Sequence, residues 1–260
     1  MNIKILGIDV AKNIFQLHGA DSSGKVVLRI RLSREKLGDY IANLSCEIIA
    51  MESCGGANYW ARVFKRSGQN VKLISPQFVK PFVKTNKNDA NDAEAIVEAA
   101  SRPSMHFVPI KQVEQQDIQS LHRIRSRLIN NRTALINEIR GLGLEYGIVI
   151  PQGASNVRKN LCSIINDNSN ELTALSREFM QELYDELIKS YDNIKKLDKK
   201  IKLICKQNDS CCRILEIPGV GELTATAIVA AVPNANEFKN GRHMSAWLGL
   251  VPRQVSSGNK

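Results

Sequence analysis

The chain has 260 residues, 43% hydrophobic and 24% charged, with a formal net charge of +10. That length and balance exclude a disordered or fibrous chain and leave room for two ordinary domains or one large one. Its apolar runs are too short to span a bilayer, and the positive charge favours a polyanionic partner.

The N-terminus, "MNIKILGIDV", runs straight into a patterned strand, with no signal-peptide anatomy before it. "IKILGIDVAKNIFQLHGAD" (3–21) reads as strand, with a turn at "DSSGK". "KVVLRIRLS" (25–33) alternates and reads as the second strand of a hairpin. "SREKLGDYIANL" (33–44) reads as a helix with Ser33 as its N-cap. A short apolar strand, "CEIIAMES", ends near Glu52. A helix over 56–68, stopped by Gly68, and the strand "NVKLIS" follow, and "PQFVKPFVK" is a loop or interrupted segment. The next helix carries Asp89 and Asp92. A hairpin followed by alternating strands and helices predicts an α/β domain of about one hundred residues.

From roughly 111 to 207 the pattern turns to long helices. Leu121, Ile124, Leu128, Leu135, Ile139 and Leu142 keep a three-four spacing, as do Ile194, Leu197, Ile201 and Ile204. This predicts an antiparallel helical, coiled-coil pair joined through "GLGLEYGIVIPQGASN". The first helix carries Arg123, Arg125, Arg127, Arg132 and Arg140 on its outer face. A solvated face and nucleic-acid contact both fit, and the rest of the chain inclines toward contact. The second helix is mixed in charge and reads as structural. In the last segment, Pro218-Gly219-Val220-Gly221 before an Ala- and Ile-rich helix resembles a helix-hairpin-helix element. There Gly219 and Gly221 let backbone N–H groups at a helix start approach a phosphate.

Charge is unevenly placed. Between Ser53 and Asn88 there is no acidic residue but there are seven basic ones, Arg62, Lys65, Arg66, Lys72, Lys80, Lys84 and Lys87. Asp89, Asp92, Glu94 and Glu98 follow at once. A phosphodiester enzyme needs that juxtaposition, cations for the backbone and acids for a metal at the reacting phosphate. A solvated basic surface beside an acidic helix start is the alternative, and charge alone does not decide. Asp9 near the middle of the first strand, Glu52 at the end of a later one, and Asp89 and Asp92 on one helix face are four carboxylates from three elements able to converge. Six cysteines without CxxC or histidine pairing indicate reduced thiols in a cytoplasmic protein, not a zinc site or a disulfide framework. His18, His106, His122 and His243 have no ligand spacing, and Trp60 and Trp247 read as core anchors. Lys12 is a candidate phosphate contact.

"GIDVAK", "MES", "NDANDAEAI", "PGVG" and "LGLVPRQVSSG" follow in that order along the whole chain. Together they resemble the DEDD transposases of insertion sequences, the RuvC-like group that also includes Piv-type DNA invertases. Within that group the chain is most similar to the bridge-RNA-guided recombinases. The resemblance implies a ribonuclease-H-like (RuvC-like) α/β domain at 1–110, a helical coiled-coil segment at 111–207 and a partial, mainly helical transposase domain at 208–260. It implies that Asp9, Glu52, Asp89 and Asp92 bind Mg²⁺ or Mn²⁺, and that Ser257 is a nucleophile holding a covalent phosphoserine link to DNA. Ser256 is the neighbouring candidate. The implied partners are double-stranded DNA, a noncoding guide (bridge) RNA and further copies of the chain in a homo-oligomer, with no membrane. Lys12, Arg62, Lys84, Lys87, Arg123, Arg127, Gly219 and Gly221 are the expected nucleic-acid contacts. Members of the family continue past this serine whereas this chain stops at Lys260, so either a fragment or a naturally interrupted copy is expected.

Three other readings compete. A RuvC-type junction resolvase would use the same carboxylates with a metal-activated water and no covalent step. A truncated copy could bind nucleic acid without chemistry. An actin-like kinase or ATPase shares the opening hairpin, but Val10-Ala11 stand where its phosphate loop needs glycine.

Overall fold

The structure, a computed structural model, describes residues 2–83, 89–232 and 235–250, apart from the side chains of Asp89, Ala90 and Glu237. By contact the chain divides into two units, one of residues 1–112 with the segment from 232 onward, the other Val113–Ala231.

The first unit is built on a six-stranded mixed sheet: β1 (Ile3–Asp9), β2 (Ile14–Ala20), β3 (Val26–Ser33), β4 (Cys46–Glu52), β5 (Val71–Ile74) and β6 (Phe107–Val108). Its order is β3-β2-β1-β4-β5-β6, with β4 parallel to β1 and to β5 and the other neighbours antiparallel. Helices α1 (Arg34–Ala42), α2 (Ala57–Arg66), α3 (Pro76–Val79) and α4 (Asp89–Ala100) pack on it, and α10 (Gly241–Trp247) is grouped with this unit.

The sheet is covered on both faces, which is why β1 and β4 read as nearly continuous apolar runs. On one face Leu6, Ile8, Phe15, Ile49 and Met51 meet Leu37 and Ile41 of α1 and Trp60 and Phe64 of α2. Each such side chain, fully buried, contributes about 1.5–3 kcal/mol of transfer free energy. Trp60 is edge-on to Phe15 at 5.2 Å and stacked on Phe64 at 5.5 Å between ring centroids. On the other face Ile5, Ala20, Ala50 and Ile74 lie under Ala95, Ile96 and Ala99 of α4. Small residues on both sides bring this helix close to the strands.

Several local expectations are corrected. The stretch 3–21 is two strands, since the four residues 10–13 turn the chain and "KVVLRIRLS" becomes the third strand of a meander. Nothing in "VAKN" is a glycine or proline, so the turn carries no strong sequence mark. Ser33 stands at the N-cap of α1 with extended backbone, but its hydroxyl makes no capping bond. Of the two readings of "PQFVKPFVK", loop or interrupted segment, the second fits: Pro76–Val79 is a single helical turn and Lys80–Phe82 a 3₁₀ turn. Gly68 ends α2 as expected, at φ +83°. Trp247 is no core anchor: α10 buries none of its residues, and Trp247 is 50% exposed with Phe238 edge-on at 5.5 Å.

The second unit is helical: α5 (Val113–Glu145), α6 (Ala154–Asn166), α7 (Ala174–Lys206), α8 (Asp209–Leu215) and α9 (Glu222–Ala231). Helices α5 and α7 run antiparallel, since Arg125 reaches Asp198 while Arg132, further along α5, lies over the Tyr191 ring, further back along α7. In α7 the buried Met180, Leu187, Ile194 and Ile201 recur every seven residues. The Thr173 hydroxyl caps α7 by accepting from the Ser176 N–H at 3.2 Å. The expected link at 141–156 does not lead straight into the second long helix: α5 runs on to Glu145 and α6 follows from Ala154, its Val157, Leu161 and Ile165 closing a core with Leu135, Ile136 and Ile139 of α5. Of the expected apolar stripe, Ile124 is 43% exposed.

Candidate functional site

Two strand ends and one helix start converge in the first unit. In the parallel β1–β4 pair Gly7 lies beside Ala50 and Ile8 beside Met51, so Asp9 and Glu52 end neighbouring strands at one level. Alternation along each strand puts both on the face that carries Gly7 and Ala50, the face under α4. At Gly7 the helix touches the strand: a Cβ there would stand 2.5 Å from the Ala93 carbonyl oxygen and 2.7 Å from Val97 Cγ2. That contact, made by Ala93 and Val97, seats α4 on the strand and holds the adjoining Asp92 next to the strand ends. Asp89 is the first residue of α4, one turn before Asp92, and its side chain lies outside the described residues.

The electrostatics agree with this convergence. The Glu52 carboxyl is pushed above the usual carboxylate range by burial and then by the charge of Asp92. The Cys54 thiol is pushed up by burial and then by Glu52 and Asp9. Asp9, Glu52 and Asp92 are all half-buried. An all-carboxylate donor set suits a hard divalent cation such as Mg²⁺ or Mn²⁺. Among the described residues no three His, Cys, Asp or Glu side chains are gathered tightly enough to hold an ion, and Asp89 is not part of that set.

The expected cations divide. Lys12 is exposed in the turn after Asp9, and its carbonyl accepts from Arg34 at 3.3 Å. Arg62 is half-buried and donates to the Lys111 carbonyl at 2.6 Å, a link inside the first unit. Lys84 and Lys87 lie outside the described residues, as do Ser256 and Ser257. Two residues that the sequence did not single out, Gln16 and Arg31, lie in register with Asp9 across β2 and β3. No linear signal marks them, since their place depends on a register visible only once 3–21 is split into two strands.

In the second unit the five arginines of α5 have different tasks. Arg125 pairs with Asp198, Arg132 stands 4.9 Å over Tyr191, and Arg140 donates to the carbonyls of Pro151 and Gly153. Arg123 and Arg127 are exposed and line an open groove of about 590 Å³ between α5 and α9, with Asn130 and Asn131. The segment with Gly219 and Gly221 is the turn joining α8 to α9, with Gly219 at φ +84° and open space around both glycines. Its Val220 N–H donates to the Ile217 carbonyl at 3.1 Å. His122 Nε2 lies 3.0 Å from the hydroxyl of the buried Thr226.

A transposase family model of the DEDD, IS110 type matches residues 6–146, and one described as the transposase IS116/IS110/IS902 family matches residues 211–260. The chain is 49% identical over 259 residues to the transposase for insertion sequence element IS1111A of Coxiella burnetii, covering 100% of this chain and 71% of that protein. It is 44% identical over 261 residues to a probable family 20 transposase of Pseudomonas aeruginosa, covering 100% of this chain and 77% of that one. Among solved structures, T. thermophilus RuvC in complex with Holliday junction substrate overlaps 40% of this chain and 98% of its own, at 12% identity and a TM-score of 0.32.

Proposed function

Because the chain belongs to the IS116/IS110/IS902 family of insertion-sequence transposases, we propose that it cuts and rejoins DNA at a carboxylate site formed by Asp9, Glu52, Asp89 and Asp92. The observation that carries the reading is the juxtaposition of Asp9 and Glu52 on adjacent strand ends with Asp92 close enough to push the Glu52 carboxyl up. A ribonuclease-H-like character for the first unit is supported by its meander followed by alternating strands and helices.

The four carboxylates would hold Mg²⁺ or Mn²⁺. When bound, such an ion activates a coordinated hydroxyl and offsets charge on the phosphate oxygens. The chain's own contribution is position. Asp9 and Glu52 are fixed by the sheet, and Asp92 by a helix that the bare Gly7 allows to sit against it.

Ser257 is the nucleophile in this reading, supported by the "VSSG" motif inside the 211–260 match. Its Oγ bonds to phosphorus as the bond to one bridging oxygen breaks, its proton passing to a base and the freed strand end leaving as a hydroxyl. The phosphoserine ester keeps the bond energy, so the reverse step rejoins strands without an external source. A guide RNA and a homo-oligomeric assembly rest on the resemblance and, for the RNA, on the net charge of +10.

Incubation with Mg²⁺, supercoiled DNA carrying the element's ends and the flanking noncoding RNA tests this, read on denaturing gels beside Ser257→Ala and Asp9→Ala. A protein–DNA band lost in both variants is the expected result. Cleavage without a band would replace the serine step with a water-mediated, resolvase-like reaction. Binding with neither would leave a nucleic-acid-binding copy.

A further inference from the structure

The register of the sheet sets two rows of residues across the face under α4. In the first, Ala50, Gly7, His18 and Arg29 lie side by side on β4, β1, β2 and β3. Helix α4 covers this row, with the Ala93 carbonyl against Gly7 and Glu94 paired to Arg29 at 2.9 Å. The second row, two residues on, reads Glu52, Asp9, Gln16 and Arg31: Asp9 pairs with Gln16, Gln16 with Arg31, and Glu52 follows Met51, the partner of Ile8. An open groove of about 230 Å³ is lined by Gln16, His18, Arg29 and Arg31 with Ala93 of α4.

The two arginines differ. Arg29 is held by Glu94, whereas the side chain of the exposed Arg31 makes no ion pair or hydrogen bond among the described residues. Strand spacing of about 4.8 Å puts the Arg31 backbone about 10 Å from that of Asp9, with Gln16 between. A site of carboxylates repels the DNA backbone, so a phosphate brought there needs a cation on the same face. A guanidinium fork matches a phosphate bidentately, and the Gln16 amide donates without neutralising the carboxylates.

We propose that Gln16 and Arg31 form a phosphate subsite that holds the DNA strand at the open end of the carboxylate row. This rests on the carboxylate reading of the same face. Arg31 is a positioning residue that grips the backbone beside the reacting linkage.

The test uses the full chain with a duplex carrying the element's end, and reads binding by anisotropy over a range of salt. Wild type, Arg31→Ala, Arg31→Lys, Gln16→Ala and Asp9→Asn are compared, on plain DNA and on DNA with one neutral methylphosphonate moved linkage by linkage. Arg31→Ala is expected to weaken binding about tenfold at low salt and to reduce the slope of log K against log salt by about one, with Lys restoring part. One methylphosphonate position should weaken wild type by a similar factor and have no further effect in Arg31→Ala. Wild-type affinity and slope in Arg31→Ala, or a methylphosphonate effect that persists at every position in that variant, overturns the subsite. Asp9→Asn, read for cleavage on denaturing gels, separates the two claims: it should not cleave, while a further Arg31→Ala change in it still lowers the salt slope by about one, and if it cleaves, the carboxylate reading fails whatever Arg31 does.

Discussion

Gly7 of the first strand and Ala93 of the helix above it are in contact that leaves no room for a single methyl group. A Cβ at position 7 would lie 2.5 Å from the Ala93 carbonyl oxygen, a backbone atom with no rotamer to move. Gly7→Ala is therefore expected to push α4 off the sheet, at about 2–3 kcal/mol. Thermal melts should show a Tm lower by roughly 4–10 °C. Because α4 carries Asp89 and Asp92, DNA cleavage should fall more than stability alone accounts for.

A divalent ion that binds the folded carboxylate site stabilises it by mass action. Mg²⁺ or Mn²⁺ is expected to raise the unfolding temperature of the wild type in a concentration-dependent way. Asp9→Asn and Asp92→Asn should respond much less, and chelation with EDTA should return the wild type to the ion-free value. An equal shift in all three proteins would show that the ion binds elsewhere.

Arginines of α5 should separate into two phenotypes. Truncation of Arg132, over Tyr191, or of Arg125, paired with Asp198, should cost about 1 kcal/mol in denaturant unfolding of the helical unit. Arg123→Ala and Arg127→Ala remove exposed groove-lining charges. They should leave stability within about 0.5 kcal/mol of wild type and lower the salt slope of DNA binding by about one each.

His122 predicts an acid sensitivity. Burial, and then the charge of Arg125, holds its pKa below the ordinary imidazole value of 6.5. The unfolded chain thus binds the proton more readily, so stability falls as pH drops from above 6.5 through the lowered pKa. The Thr226 hydroxyl donates to the Glu222 carbonyl at 2.7 Å, which leaves its oxygen to accept from His122. His122→Gln keeps a donor without the titration and should flatten the Tm–pH curve between pH 7.5 and 5.

Thiol reactivity should follow burial. Cys211 is pushed up to about 11, by burial and then by Cys205 beside it, and Cys205 is also raised. The exposed Cys162 and Cys212 should react with a thiol reagent at pH 8 well before Cys205 and Cys211. Fast labelling of all six in the native protein would contradict this packing.

Much of the sheet is legible in the sequence because two-sided burial leaves apolar runs, as at β1 and β4. The turn at 10–13 is hidden because neither glycine nor proline marks it. Helix α6 is obscured by its short amphipathic pattern and its flanking turn residues. Glu52 stands out as an acid at the end of an apolar strand, whereas Asp9, expected near the middle of one, ends β1 because the chain turns at 10–13. Gln16 and Arg31 do not, because a cross-strand neighbour is defined by register, which no linear pattern states. The arginines of α5 look alike in sequence, and only the positions of Asp198 and Tyr191 on α7 tell them apart.

Asp9, Glu52 and Asp92 come from two strands and a helix about forty residues apart along the chain. None can do phosphodiester chemistry alone, and the sheet pairing and the seating of α4 must both be complete before they meet. On the proposed carboxylate reading, the ability to cut then arises only with the finished fold, and a chain with the sheet unpaired or α4 unseated lacks it.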